Sequence, residues 1–165
     1  MFVLLNELRR MRRRIALPAS PKPGSLAVRH VDAGSCNGCE HELAAGFGPH
    51  YDLGRHGLSV AASPRHADVL LVTGAITTRM VEPLRAAYAA MPDPRLVVAL
   101  GDCACGRDVL GEPSELAGPL EGILPVDLRI QGCPPSPGAI ERSLVELLDL
   151  AKSGRIALGN RRRGG

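Results

Sequence analysis

Asp68-Val69-Leu70-Leu71-Val72-Thr73-Gly74 is the stretch from which the fold of this chain is read. Four consecutive aliphatic residues do not alternate apolar with polar, as a strand with one solvated face would. They fit a strand covered on both faces, as in a parallel sheet sandwiched by helices. Leu96 to Leu100 has the same character, and Leu26 to Val31, Gly57 to Ala61 and Leu128 to Ile130 read as further short strands. Between them Glu40 to Ala45, Met80 to Ala90 and Ala139 to Lys152 read as helices. In the last of these, Ile140, Leu144, Leu147 and Leu148 recur at helical spacing. Strands alternating with helices predict an α/β fold, a doubly wound parallel sheet in one domain.

That domain is expected over residues 25–152, between a basic N-terminal arm over 1–24 and a basic C-terminal tail over 153–165. Pro18, Pro21, Pro23 and Gly24 mark the first boundary. Residues 1–24 sum to +5 and residues 151–165 to +5, so the stretch between them carries −7 and the pI of 8.8 describes the ends. An acidic domain repels phosphate, and with aromatic residues at 2% and no Trp it lacks stacking platforms, so nucleic acid is not an expected partner. Residues 1–17, with Leu4, Leu5, Leu8, Met11 and Ile15 among arginines, fit a short basic helix that would lie on a partner protein or a membrane surface. No apolar run reaches the roughly 20 residues that cross a bilayer, and the arginines follow the first apolar run instead of preceding it, so a cytoplasmic location is expected. In that compartment the five cysteines read as metal ligands or reactive thiols rather than disulfides. Residues 110–125, rich in Gly and Pro, read as a surface loop.

The turns that follow the strands carry the chemistry. Asp32-Ala33-Gly34-Ser35-Cys36, Thr73-Gly74-Ala75, Gly101-Asp102-Cys103 and Gly132-Cys133 each fall just past a strand's carboxyl end. An open α/β sheet binds ligands at that rim, so the fold itself would gather the distant cysteine segments. Cys36-Asn37-Gly38-Cys39 is a CxxC, which zinc sites, thioredoxin-like dithiols and iron–sulfur sites all use. A structural zinc usually recruits a second CxxC or a His pair, and Cys103, Cys105 and Cys133 supply neither. Cys133-Pro134-Pro135 places proline directly after a cysteine, as bacterial ferredoxin motifs do.

Four segments together resemble one family: Cys36-Asn37-Gly38-Cys39-Glu40, Ala67 to Gly74, Gly101-Asp102-Cys103-Ala104 and Gly132-Cys133-Pro134-Pro135. From about Leu26 to Leu150 the chain is similar to the complex I 20 kDa subunit and the small subunits of nickel–iron hydrogenases. The resemblance implies a flavodoxin-like domain with one [4Fe–4S] cluster on Cys36, Cys39, Cys103 and Cys133. Cys105 is the alternative third ligand, or else a small buried apolar residue. The CxxC followed by Glu resembles hydrogenase small subunits, whereas complex I subunits have adjacent cysteines there. A chain without the C-terminal extension that holds further clusters resembles the membrane-bound, energy-converting hydrogenases and formate hydrogenlyase.

The resemblance further implies a role in electron transfer, not catalysis by this chain alone. The expected partners are a large subunit (nickel–iron or like the complex I 49 kDa subunit), a ferredoxin-like subunit and membrane subunits, the complex lying on the cytoplasmic side of the inner membrane. N–H···S bonds from the Gly38, Gly101 and Gly132 turns, together with Asp32, Glu40 and Asp102, are expected to set the potential. Rival readings are a complex I-like quinone or ferredoxin oxidoreductase without nickel, a four-cysteine zinc module, and a flavin-binding flavodoxin. The last lacks a Gly-x-Gly-x-x-Gly series. Glu40 and Glu42 read as helix N-terminal carboxylates or members of a proton route, and His41, His50, His56 and His66 as surface or interface residues.

Overall fold

The structure, a computed structural model, describes residues 24–107 and 110–153. Apart from Gly24 and Ser153, both basic arms and the predicted helix over 1–17 lie outside the described residues. Five strands, β1 (Leu26–Asp32), β2 (Leu58–Val60), β3 (Val69–Thr73), β4 (Leu96–Leu100) and β5 (Leu128–Ile130), pair in parallel in the order β2-β1-β3-β4-β5. This is the flavodoxin-like order, with the direction of winding reversing between β1 and β3.

All five residues of β3 and of β4 are buried, which is why their sequences show no polar alternation. The two-residue period still sorts them by face. Val69 and Leu71 join Leu96, Val98 and Leu100 on one side, packed with α1 (Gly38–Gly46) and α3 (Pro137–Ser153) through Leu43, Ile140, Leu144, Leu147 and Leu148. Leu70 and Val72 join Val97 and Ala99 on the other, under α2 (Val81–Ala90) through Leu84. Full burial of each such aliphatic side chain stabilises by about 1.5–3 kcal/mol, so this double-sided core, poor in aromatics, is the main support of the fold.

The segment after β4 departs from the expected surface loop. Its 111–115 stretch is exposed, but Leu120 and Leu124 are buried in the second core and Ala117 N–H donates to Ile76 O at 2.8 Å. Pro113, Pro119 and Pro125 confine it to short 3₁₀ turns. It covers the sheet with individual leucines where a helix would otherwise lie.

At the amino edge of the sheet two aspartates stitch neighbouring strands. Asp68 N–H donates to Ala27 O, and its carboxylate accepts from Ala27 N–H, both at 2.8 Å. Asp127 makes the same reciprocal pair with Val97, again at 2.8 Å each way.

Candidate metal centre

Three connections at the carboxyl edge build the site. After β1, the Asp32 carboxylate accepts the Gly34 and Ser35 N–H groups, both at 2.8 Å, curling the chain into a tight turn. Ser35 Oγ then accepts Asn37 N–H at 3.1 Å, and Asn37, at φ 66°, turns the chain into α1. Cys36 thus stands before the helix and Cys39 in its first turn. After β3, Gly74 lies at φ 83°; a Cβ there would sit 2.5 Å from Ser35 N, so only glycine lets these two loops touch.

The β4 and β5 connections are joined to each other. Gly101 N–H donates to Ile130 O at 2.8 Å, Asp102 N–H to Gly132 O at 2.9 Å, and Gly132 N–H returns to Asp102 Oδ1 at 2.9 Å. A Cβ on Gly101, at φ 90°, would approach Cys39 Sγ to 2.5 Å, so the backbone of one loop is in direct contact with the sulfur of another. Within these turns the Gly101 N–H is thereby committed to the sheet and the Gly132 N–H to a carboxylate, which leaves the remaining N–H groups of the turns for the expected bonds to sulfur.

Cys36, Cys39, Cys103 and Cys133 line one cleft with Ser35, Gly74, Asp102 and Pro134. Cys36 and Cys133 are exposed at its mouth, and Cys39 and Cys103 are half-buried. Cys105 takes no part in that lining. It packs into the second core, its Sγ 3.8 Å from Ala99 O, as the reading of a small apolar residue has it. Burial pushes its thiol up, with the Asp102 charge adding to the effect.

Burial also pushes the Cys39 thiol up to about 12, reinforced by Glu40 and then by the three other thiols. Four thiolates cannot share this space without positive charge among them. The donor set is all sulfur, which suits soft metals and iron–sulfur clusters, and the glycine contact at Cys39 leaves no side chain in the way. Among the described residues no three His, Cys, Asp or Glu side chains close on a position for a single ion. The sulfurs stand apart around the cleft.

Beside Cys39 lies a polar group that was not visible in sequence. Thr73 Oγ1, fully buried, donates to Glu40 Oε1 and lies 2.8 Å from His30 Nε2, which is 3.5 Å from the same carboxylate oxygen. Glu40 Oε2 is buried with no hydrogen-bond partner. Burial holds His30 below the usual imidazole range, outweighing the opposing pull of Glu40 and Asp32. Glu40 therefore bonds across to β3 besides standing at the start of α1, and His30 lies against the same pair. His30 falls within the predicted strand Leu26 to Val31, but nothing local connects it to Thr73, 43 residues on. His56, by contrast, pairs with Glu141 at 3.0 Å, away from the thiols.

Fold and site together define a flavodoxin-like domain that presents four thiols at the rim where nucleotide-binding relatives of the fold present a phosphate loop. Residues 36–147 match the family model described as NADH ubiquinone oxidoreductase, 20 kDa subunit, and the chain belongs to that family. It is 43% identical over 148 residues to the probable membrane-bound hydrogenase subunit mbhJ of Pyrococcus furiosus, covering 89% of each chain. With an NADH-quinone oxidoreductase subunit of Geobacter metallireducens it shares 38% identity over 122 residues, 74% of this chain and 71% of that one. Among solved structures it is similar to a chain of an archaeal respiratory membrane complex, the membrane-bound sulfane sulfur reductase, with a TM-score of 0.66, 29% identity, and coverage of 84% and 76% of the two chains. No helix among the described residues is long and apolar enough to cross a membrane.

Proposed function

We propose that this chain is the electron-transfer small subunit of a membrane-bound, hydrogenase-type complex, holding one [4Fe–4S] cluster on Cys36, Cys39, Cys103 and Cys133. One observation carries the reading: thiols from three distant segments line a single cleft at the ligand-binding rim of the sheet. Bound there, the cluster supplies one-electron exchange between partners. The chain's own residues do the rest. The Asp32 turn and the Asp102–Gly132 pair fix where the sulfurs stand, the two-sided core behind them excludes water, and Glu40 and Asp102 contribute negative charge at the rim. Cys36 and Cys133 lie exposed at the mouth, so the large subunit covers that side, and the complex brings the chain to the cytoplasmic face of the membrane, where a ferredoxin-like subunit and membrane subunits complete it.

The test is anaerobic purification of the complex followed by metal analysis and electron paramagnetic resonance. About four irons and four sulfides assignable to this chain, with a reduced-state signal lost in Cys103→Ala, are expected. Stoichiometric zinc on these thiols in a protein without that signal would overturn the reading. A second reading keeps the cluster and removes the nickel. Similarity to the sulfane sulfur reductase chain and to a quinone oxidoreductase chain favours it, since neither protein's name is that of a hydrogenase. Nickel content and reduction of the cluster by hydrogen separate the two: both present support the first reading, both absent the second.

A further inference from the structure

Among the described residues Asp68, Asp102 and Asp127 make the same reciprocal pair. In each, the aspartate N–H donates to a carbonyl on the neighbouring chain segment, and the carboxylate accepts the N–H of that same residue. Asp68 and Asp127 do this at the amino edge of the sheet, where each precedes a strand, and neither lines the thiol cleft. Asp102 does it at the opposite edge, and there the two segments joined carry Cys103 and Cys133.

We propose that Asp102 is a positioning residue for the metal centre. It fixes the separation of the Cys103 and Cys133 loops through its pair with Gly132, and it supplies a negative charge at the cleft wall that lowers the midpoint potential of whatever the thiols hold. The proposal rests on the cluster reading above and names the residue that regulates that same site.

Three observations support it. Asp102 lines the thiol cleft, and its side chain is only 16% exposed, so its charge is weakly screened. Its backbone N–H and its carboxylate both bond Gly132, the residue immediately before Cys133. By taking the Gly132 N–H, it also commits a donor of the cleft wall to a carboxylate. Arg107 offsets the charge only in part: its Nε lies 3.9 Å from Asp102 Oδ1 while a terminal nitrogen bonds Gln131 Oε1 at 3.1 Å.

Three variants of the anaerobically purified complex test the two halves separately. Asp102→Asn keeps an oxygen to accept the Gly132 N–H but not the charge; iron and sulfide content should match wild type and the midpoint potential of the cluster signal should rise. Asp102→Ala removes both, and iron should be lost to a chelator roughly 10-fold to 100-fold faster. Asp127→Ala breaks an identical pair at the far edge and measures what a lost pair does to folding alone: it should lower the melting temperature and leave potential and iron release unchanged. Wild-type iron retention in Asp102→Ala, or an unchanged potential in Asp102→Asn, would overturn the proposal, as would Asp127→Ala releasing iron as fast as Asp102→Ala. Failure of the cluster reading looks different, because the wild-type complex itself would then lack the iron signal from this chain.

Discussion

The two edges of the sheet use one kind of hydrogen-bonded pair for two purposes. At the amino edge Asp68 and Asp127 close the sheet, and neither lines the thiol cleft. At the carboxyl edge Asp102 closes a pair of loops that carry thiols, in contact with glycines whose Cβ positions are filled by other loops. A stabilising device becomes a functional one by location alone. The comparison also separates what folding needs from what the site needs, since a change at one edge should leave the other's task untouched.

The largest contrast is between the two cysteines that are neighbours but one in sequence. Cys103→Ala removes a cleft sulfur and should abolish the cluster signal and at least about 90% of electron transfer through the complex, on the order of the loss expected for a metal ligand. Cys105→Ala empties a small site in the second core; it should cost about 1 kcal/mol in stability and leave the signal in place. Equal loss of signal in both, by resonance spectroscopy, would show that the cleft is drawn around the wrong thiol. Next comes Gly101→Ala. It combines a strained φ of 90° with a 2.5 Å approach to Cys39 Sγ, and should cost roughly 1–3 kcal/mol and displace the sulfur, whereas Gly122→Ala, with nothing within 4 Å, should change the melting temperature little. Smaller again is Asp68→Ala, which leaves Ala27 N–H without its acceptor. Stability should fall by about 0.5–1.5 kcal/mol in chemical denaturation, with the potential unchanged.

The smallest effect concerns pH. His30 is held neutral by burial, its folded pKa below the ordinary 6.5, so the unfolded chain binds the extra proton first. Its contribution is present above 6.5 and is lost as the pH falls below that value towards the lowered folded pKa. Thermal unfolding of the complex at successive pH values should show this acid-side loss, and His30→Gln should reduce it. An identical slope in the variant would assign the loss to other groups.

Much of the fold was legible because β3 and β4 are buried on both faces and, Thr73 at the end of β3 apart, carry only aliphatic residues; their observed ends fall within a residue of those read from sequence. The four thiols were legible because strand-end loops converge whatever the side chains between them. The second core's outer cover was not: Leu120 and Leu124 look like loop residues among prolines, and only a three-dimensional surface shows that they fill it. His30 and Thr73 were missed for the same reason, since their contact crosses between strands and depends on register, with His30 opposite Leu71 and Asp32 opposite Thr73. Which N–H groups of the Gly101 and Gly132 turns are already committed was not legible either, because their acceptors, Ile130 O and Asp102 Oδ1, lie on other segments.

The cleft also imposes an order on biogenesis. Its thiols come from three connections, with Cys39 and Cys103 separated by 64 positions, and no local turn assembles more than two of them. Closing such long-range contacts belongs to the late, slow part of folding, after β1, β3, β4 and β5 have found their neighbours. A misregistered or half-formed sheet would offer the CxxC pair alone. The four thiols can line one cleft only once β1, β3, β4 and β5 are in place, so the cleft itself reports that the sheet has formed.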